Sequence, residues 1–439
     1  MKNKSSRTNI NNTYIKKSTK SQKLNSTNRL TGADGLRAIA CLAVICHHLS
    51  QRLMMQAQTA SIQKAQSFFL MGNAGVSVFF VLSGFLLSYP FWKQYMTNDT
   101  FPSIKNYTIR RATRIIPGYY IALLASSIFI IIYKIPSDYF KTRLLSGLTF
   151  TAGFHYITFF PTDLNGALWS INFEVFSYFL MPIFMFGLFK LLGKNRSFFK
   201  ALLYWLLAIA LLFYINNLIH LYLTPSDINK GWQYGNIGGA KYWMPNYNPI
   251  GFFLQFSMGI VAAGFTFFFS NIPDKLKTFK HFGGFDIIGT LTLIGSFYLL
   301  WILRYTPEFS YSLQGQPYFF PMFTILIAIT LSVCPHTLIL GKILDNPFFK
   351  FTSKISFGLY IWHYFLVFVV SFLWVKDYQY MGMENIKSWA LVSFLIVLVS
   401  YIIATLSYYF IEKPILNWGH KITKKTDSVI KTAAATTLQ

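Results

Sequence analysis

Carboxylates are scarce in this chain. Only 14 Asp and Glu face 39 Lys and Arg over 439 residues, and charged residues of both signs reach just 12%. An ordinary soluble domain carries about 25% charged residues, so no stretch is polar enough to be one. Cysteine is sparse too: Cys41, Cys46 and Cys334 lack metal-ligand spacing and imply no disulfide framework. There is no Gly-rich phosphate loop and no metal-ligand cluster, so no metal is expected. No internal repeat supports an inverted-repeat transporter. Residues 1–33 are rich in Ser, Asn, Thr and Lys without an apolar run. They make no signal peptide and are read as a disordered basic tail.

Apolar residues dominate what remains, at 54% hydrophobic and 19% aromatic. They fall in blocks of about 20, enough to cross a hydrocarbon core at 1.5 Å per residue. Ten spans are expected, over 34–55, 69–90, 114–133, 168–189, 201–222, 249–270, 285–303, 318–335, 353–375 and 389–412. The predicted fold is therefore an all-α integral membrane protein. Its single membrane domain covers 34–415, and 416–439 form a short cytoplasmic tail.

A net charge of +25 would suggest nucleic acid in a soluble protein. Here the basic residues lie between apolar blocks, where they set topology and meet membrane lipid, and no nucleic-acid partner is expected. With ten spans, 29 of the 39 Lys and Arg fall on one side, which places both termini in the cytoplasm. Segment 223–248 then lies outside, carrying Trp232, Tyr234, Tyr242, Trp243 and Tyr247. Such residues serve either as an interfacial aromatic belt or as a platform on which a sugar ring stacks.

Ionisable groups inside a membrane are costly and by default mark function. Arg37, His48, Glu174 and His363 stand out on this ground. Arg37 and His48 are eleven residues apart, about three helical turns plus 20°, so they share a face. His47 points about 100° away, as a packing or hydrogen-bonding residue. Counted along the helices, His48 and Glu174 fall at similar depth, about 9 Å from the outer boundary. Such a pair either moves protons or simply joins two helices. Arg37 is alternatively a snorkelling anchor. Cys41 lies near the same stripe, as a covalent acyl carrier or a small packing residue. Before the third span, RRATR places Arg110, Arg111 and Arg114 together. Guanidinium forks match phosphate oxygens, so a phosphorylated cofactor such as CoA would suit them, as would anionic lipid.

At these residues the chain resembles the acyltransferase 3 family of membrane O-acyltransferases. The family's mark is Arg or Lys, ten residues, then His, and Arg37 and His48 match it. GNAGVSVFFVLSGFLLS (72–88) resembles the second-span signature and includes Ser83. RRATRIIP (110–117) and LWSINFEVFSY (168–178) resemble its next motifs, the latter placing Glu174 on the acidic position, although Val175 stands where many members have a second Glu. ISFGLYIWHYF (355–365) and SYYFIEKP (407–414) resemble the closing spans, with His363 and Glu412. The resemblance implies an acyl-CoA donor, acetyl-CoA foremost, and a sugar hydroxyl of a surface glycan, glycolipid or glycoside as acceptor, at the cell membrane. On this basis His48, Glu174 and Arg37 are the expected catalytic residues, and Arg37, Arg110, Arg111 and Arg114 the donor site. Trp243, Tyr242, His363 and Ser83 are expected near the substrate. No SGNH-type domain is expected after the last span. The competing class is a transporter or flippase using the intramembrane His and Glu as a proton relay.

The distribution of Lys and Arg predicts that cysteines placed at the two termini are labelled from the same side, and one at Gly235 from the other. Labelling of the termini from opposite sides would contradict ten spans.

Overall fold

In hydrocarbon every backbone polar group needs a partner within the chain, so a spanning segment must be helical. The computed structural model follows that rule and contains no strand among the residues it describes, which are 30–436 apart from 194–195, 223–224, 226–227, 272–273 and 305–320. The protein is an all-α integral membrane protein. Among the described residues, eight helical stretches are long and apolar enough to cross a membrane.

In chain order the helices begin with α1 (Ala33–Ser50), α2 (Ala60–Leu70), α3 (Gly75–Met96), α4 (Ile104–Tyr133) and α5 (Phe140–Leu148). Then come α6 (Trp169–Leu191), α7 (Phe198–Tyr222), α8 (Gly235–Trp243), α9 (Pro249–Ser270), α10 (Asp274–His281) and α11 (Gly284–Leu303). The last are α12 (Met322–Val333), α13 (Leu340–Leu344), α14 (Pro347–Leu373), α15 (Ile386–Ser407) and α16 (Lys413–Thr436). A π-helical turn, Tyr408–Glu412, joins the final pair. Pro414 follows it and lacks the N–H that a regular helix would direct to residue 410.

Eight of the expected spans coincide with the long apolar stretches. The other two are α1, whose 18 residues include Asp34, Arg37, His47 and His48, and the shorter stretch Met322–His336. Residues 318–320 of the eighth expected span, and 1–29 of the expected tail, lie outside the described residues. The segment expected as a short C-terminal tail is helical as far as Thr436.

Helix starts are written locally. Asn248 accepts from the Gly251 N–H at 2.9 Å and Asn346 from the Phe349 N–H at 2.9 Å, and each is followed by proline at the first helical position. Large apolar side chains such as Leu203, Leu207 and Leu211 on α7, or Leu391, Phe394 and Leu398 on α15, remain exposed. That is the expected surface against lipid tails. The interior is built by close backbone approach. A Cβ added at Gly84 on α3 would stand 1.9 Å from the Phe256 carbonyl oxygen, and one at Gly259 on α9 would stand 1.8 Å from the Val81 carbonyl oxygen. Small residues at such crossings give dispersion contact where no hydrophobic effect operates between helices.

Because backbone rather than a flexible side chain meets the new atom, Gly84→Val should separate α3 from α9. Overpacking costs about 1–3 kcal/mol or more, so the variant should show a lower Tm in detergent. Gly295→Ala is the control, since its nearest neighbours are Leu326 side-chain atoms at 3.8 Å. Equal Tm values for the two variants would contradict the crossing.

Candidate active site

Two cavities lie end to end along the bundle and share two wall residues, Val76 and Tyr360. Three helices show the arrangement. On α1, Arg37 lines the first cavity, and His47 and His48 the second. On α14, Ser356 and Phe357 line the first, Tyr360 both, and Tyr364 the second. On α6, Trp169 lines the second and Glu174 the first.

The first cavity, of about 380 Å³, gathers Arg37, Ser83, Arg110, Arg111, Arg114 and Glu174. The three clustered arginines lie within α4, because the helix begins at Ile104, ten residues before the expected span. Leu416 and His420 of α16 complete the wall. Glu174 is the one carboxylate in this lining, and hydroxyls engage it rather than guanidiniums. Ser83 Oγ donates to its Oε1 at 2.9 Å, and the Tyr178 hydroxyl, one turn further along α6, donates to the same oxygen. Arg111 Nε is buried without a hydrogen-bond partner. Asp34 near Arg37 and Glu412 near Arg114 add two carboxylates outside that lining. The four guanidiniums still outnumber the carboxylates, which suits an anion bearing several phosphate oxygens.

The second cavity, of about 500 Å³, has a different chemistry. Its walls include His48, Trp169, Trp232, Trp243, Tyr247 and Tyr364. Trp243 stacks on Tyr247 at 5.2 Å between centroids and meets Trp232 edge-on at 4.6 Å. Only 6% of Trp243 is exposed, so a purely interfacial belt does not describe it. Asp163 and Asn236 add polar groups. Asp163 is held by Arg143 Nη1, which donates to both carboxylate oxygens at 2.7 Å, and by Asn236 Nδ2 at 2.6 Å. Aromatic faces with an oriented carboxylate and amide suit a polyhydroxylated ring.

His48 stands in this second cavity with its ring 4.6 Å from Tyr364 and 5.3 Å from His363. His363 is fully buried behind it. Its Nδ1 donates to the Leu359 carbonyl at 2.9 Å, and its Nε2 has no partner. The expected pairing of His48 with Glu174 does not form. His48 Nδ1 meets Gln51 Oε1 at 3.1 Å, while Glu174 faces the first cavity. Equal depth was the wrong criterion. Trp169 is level with the histidine cavity, so Glu174, five residues on, sits about 7.5 Å further along the helix. Tyr242 is also absent from the lining and packs against the core instead. Sequence reasoning missed Tyr178, Ser170, Tyr360 and Gln51. The Tyr360 hydroxyl lies 2.6 Å from Ser170 Oγ, at the wall between the cavities.

The fold and paired cavities define a multi-pass membrane protein with an arginine-lined chamber beside an imidazole chamber. The family model described as Acyltransferase domain, acyltransferase 3, matches residues 30–405, and the chain belongs to that family. A Staphylococcus aureus (strain COL) relative named for O-acetyltransferase activity is 26% identical over 408 residues, covering 89% of this chain and 58% of its own length. Peptidoglycan O-acetyltransferase OatA of Listeria monocytogenes is 26% identical over 407 residues, covering 88% and 56%. YrhL of Bacillus subtilis (strain 168), named for peptidoglycan O-acetyl transfer, is 25% identical over 405 residues, covering 89% and 56%. The chain thus spans little more than half the length of these relatives. No solved structure matches.

The Arg143–Asp163 pair, with side-chain exposures of 2% and 19%, predicts a measurable stability effect. Arg143→Met strands a carboxylate, at a cost of about 3–5 kcal/mol for a buried pair broken on one side. Thermal unfolding in detergent should show the loss, and adding Asp163→Asn should recover part of it. A single variant with wild-type Tm would make the pair peripheral.

Proposed function

We propose that this protein transfers an acyl group, acetyl foremost, from acyl-CoA to a hydroxyl of a sugar in a surface glycan, glycolipid or glycoside at the cell membrane. The observation that carries the reading is the shared wall. A chamber rich in guanidiniums meets a chamber of imidazole and aromatic faces at Val76 and Tyr360. A donor needs phosphate recognition, an acceptor needs ring stacking and a base, and the transferred group must pass between them.

In this reading the donor phosphates occupy the Arg110, Arg111, Arg114 and Arg37 side, which the basic segments place towards the cytoplasm. Ser83 and Tyr178 donate to Glu174 and fix it in place among the arginines. The thioester reaches towards Tyr360. His48 Nε2 takes the proton of the acceptor hydroxyl as that oxygen attacks the thioester carbonyl. Collapse of the tetrahedral intermediate breaks the C–S bond, and the imidazolium returns the proton to the departing thiolate. Trp243, Tyr247 and Trp232 stack the acceptor, and His363 packs behind the base. A relay between His48 and Glu174, which a proton-coupled transporter would need, lacks support because the two line different cavities.

Turnover of acetyl-CoA by purified protein in nanodiscs, read as free thiol, tests the assignment. Losing one charge-assisted contact costs about 1.5–3 kcal/mol, so Arg114→Ala should raise KM for acetyl-CoA about 10–100-fold. His48→Ala should lower kcat about 10²–10⁴-fold with little change in that KM. Unchanged acetyl-CoA affinity in Arg114→Ala would assign the cluster to lipid, and full turnover by His48→Ala would remove the base.

A further inference from the structure

The first helix closes on two adjacent histidines, followed by a glutamine that touches both rings. We propose that Gln51, locked by His47, is a positioning residue that holds the proton of His48 on Nδ1 and leaves Nε2 as the free lone pair. This rests on the reading of His48 as the base.

Each link follows from what the atoms can do. His47 Nδ1 lies 2.6 Å from the Leu70 carbonyl oxygen. A carbonyl only accepts, so that nitrogen carries a proton. His47 is 5% exposed, with no carboxylate against its ring and Arg52 nearby, stacked 5.9 Å above Tyr364. A second proton would bury an uncompensated charge, which costs several kcal/mol. His47 is therefore neutral, and its Nε2 accepts. Gln51 Nε2 sits 3.1 Å from that atom and must be the donor, which settles which end of the amide is nitrogen. The amide oxygen then faces His48 Nδ1 at 3.1 Å, and an oxygen requires a donor there. The proton of His48 is on Nδ1, and Nε2 carries the lone pair.

The geometry is helical in origin. Gln51 follows His47 by four residues and His48 by three, the two spacings that bring side chains together on a helix. The end of α1 is also clamped from outside. The Met381 N–H donates to the Gln51 carbonyl at 2.8 Å and the Met383 N–H to the Arg52 carbonyl at 3.0 Å. Trp389 Nε1 donates to the Leu49 carbonyl at 2.8 Å. Loop 374–385 and the first turn of α15 thus fix the backbone from which the amide reaches. A carboxylate is the usual partner that sets a catalytic imidazole. Here a neutral amide oriented by a neighbouring imidazole performs the same alignment without burying a charge.

The tautomer is read directly by ¹⁵N solid-state NMR of histidine-labelled full-length protein in lipid, with the His48 signals identified by their loss in His48→Phe. Wild type should show His48 protonated at Nδ1 and bare at Nε2. Gln51→Met, of similar size but unable to accept, should convert this to a mixture. In acetyl-CoA turnover, Gln51→Met should lower kcat about 10–100-fold while KM stays within about two-fold. His47→Phe should lower kcat less, because the amide is then free to turn either way. Adding Gln51→Glu to His47→Phe should raise kcat again, since both oxygens of a carboxylate accept. A wild-type His48 protonated at Nε2, or a Gln51→Met spectrum identical to wild type, would overturn the relay. Full turnover by His48→Ala with the Nδ1 tautomer intact would instead overturn the reading of the base and leave the relay standing.

Discussion

Positive charge in excess of negative charge, held inside an apolar bundle, is the constraint around which this structure is arranged. Arg37, Arg110, Arg111 and Arg114 share a chamber with Glu174 as its one carboxylate. An unpaired guanidinium in a low-dielectric interior costs several kcal/mol, so the chamber must stay open to water or receive an anion. Its placement reduces the cost. The arginines occupy the first turns of α4 and the first third of α1, where basic segments gather at one end of the bundle and solvent can reach. Helix α16 turns back to wall the same chamber through Leu416 and His420.

The wall between the cavities matters as much as either cavity. Val76 belongs to α3, which the close contacts at Gly84 and Gly259 press against α9. Tyr360 belongs to α14 and is tied through its hydroxyl to Ser170 of α6. The partition is thus formed by side chains from two helices that the bundle holds rigidly, and a third secures it. A chemical step between two chambers needs such a boundary. Under the proposed transfer it would keep bulk water and donor phosphates on one side and the acceptor hydroxyl on the other, and an acetyl group would need only a narrow passage.

How much of this was legible in the sequence depends on the physics behind each signal. Spans were readable because hydrocarbon tolerates little besides apolar helix, but their starts were not: α14 begins at Pro347, six residues before the expected 353. The guanidinium cluster was readable as three arginines within five residues, although it was expected before the span and lies within α4. Grouping was not. Periodicity gives the face of a helix and depth gives its height, but neither says which faces meet. His48 and Glu174 satisfied both criteria and still line different cavities. Gln51 carried a usable signal in its spacing from His47 and His48, yet a polar residue at a helix end ordinarily needs no explanation. Asp163, in a loop, owes its position to Arg143 on α5, a short helix that hydrophobic pattern alone did not reveal.

The separation of Glu174 from His48 has an electrostatic logic of its own. A carboxylate facing Nε2 of the imidazole would hold a proton there and occupy the lone pair that a base requires. Placed among four arginines, the same carboxylate offsets repulsion where cations are crowded and leaves the second cavity's imidazoles neutral. His47, His48 and His363 stand within ring contact of one another in pairs that all include His48. Three charged imidazoles could not share that space, whereas three neutral ones can, provided each N–H has an acceptor. Leu70, Gln51 and Leu359 supply those acceptors one for one. The scarcity of carboxylates that first marked this chain as a membrane protein therefore reappears at its centre, where amide and backbone oxygens orient the imidazoles.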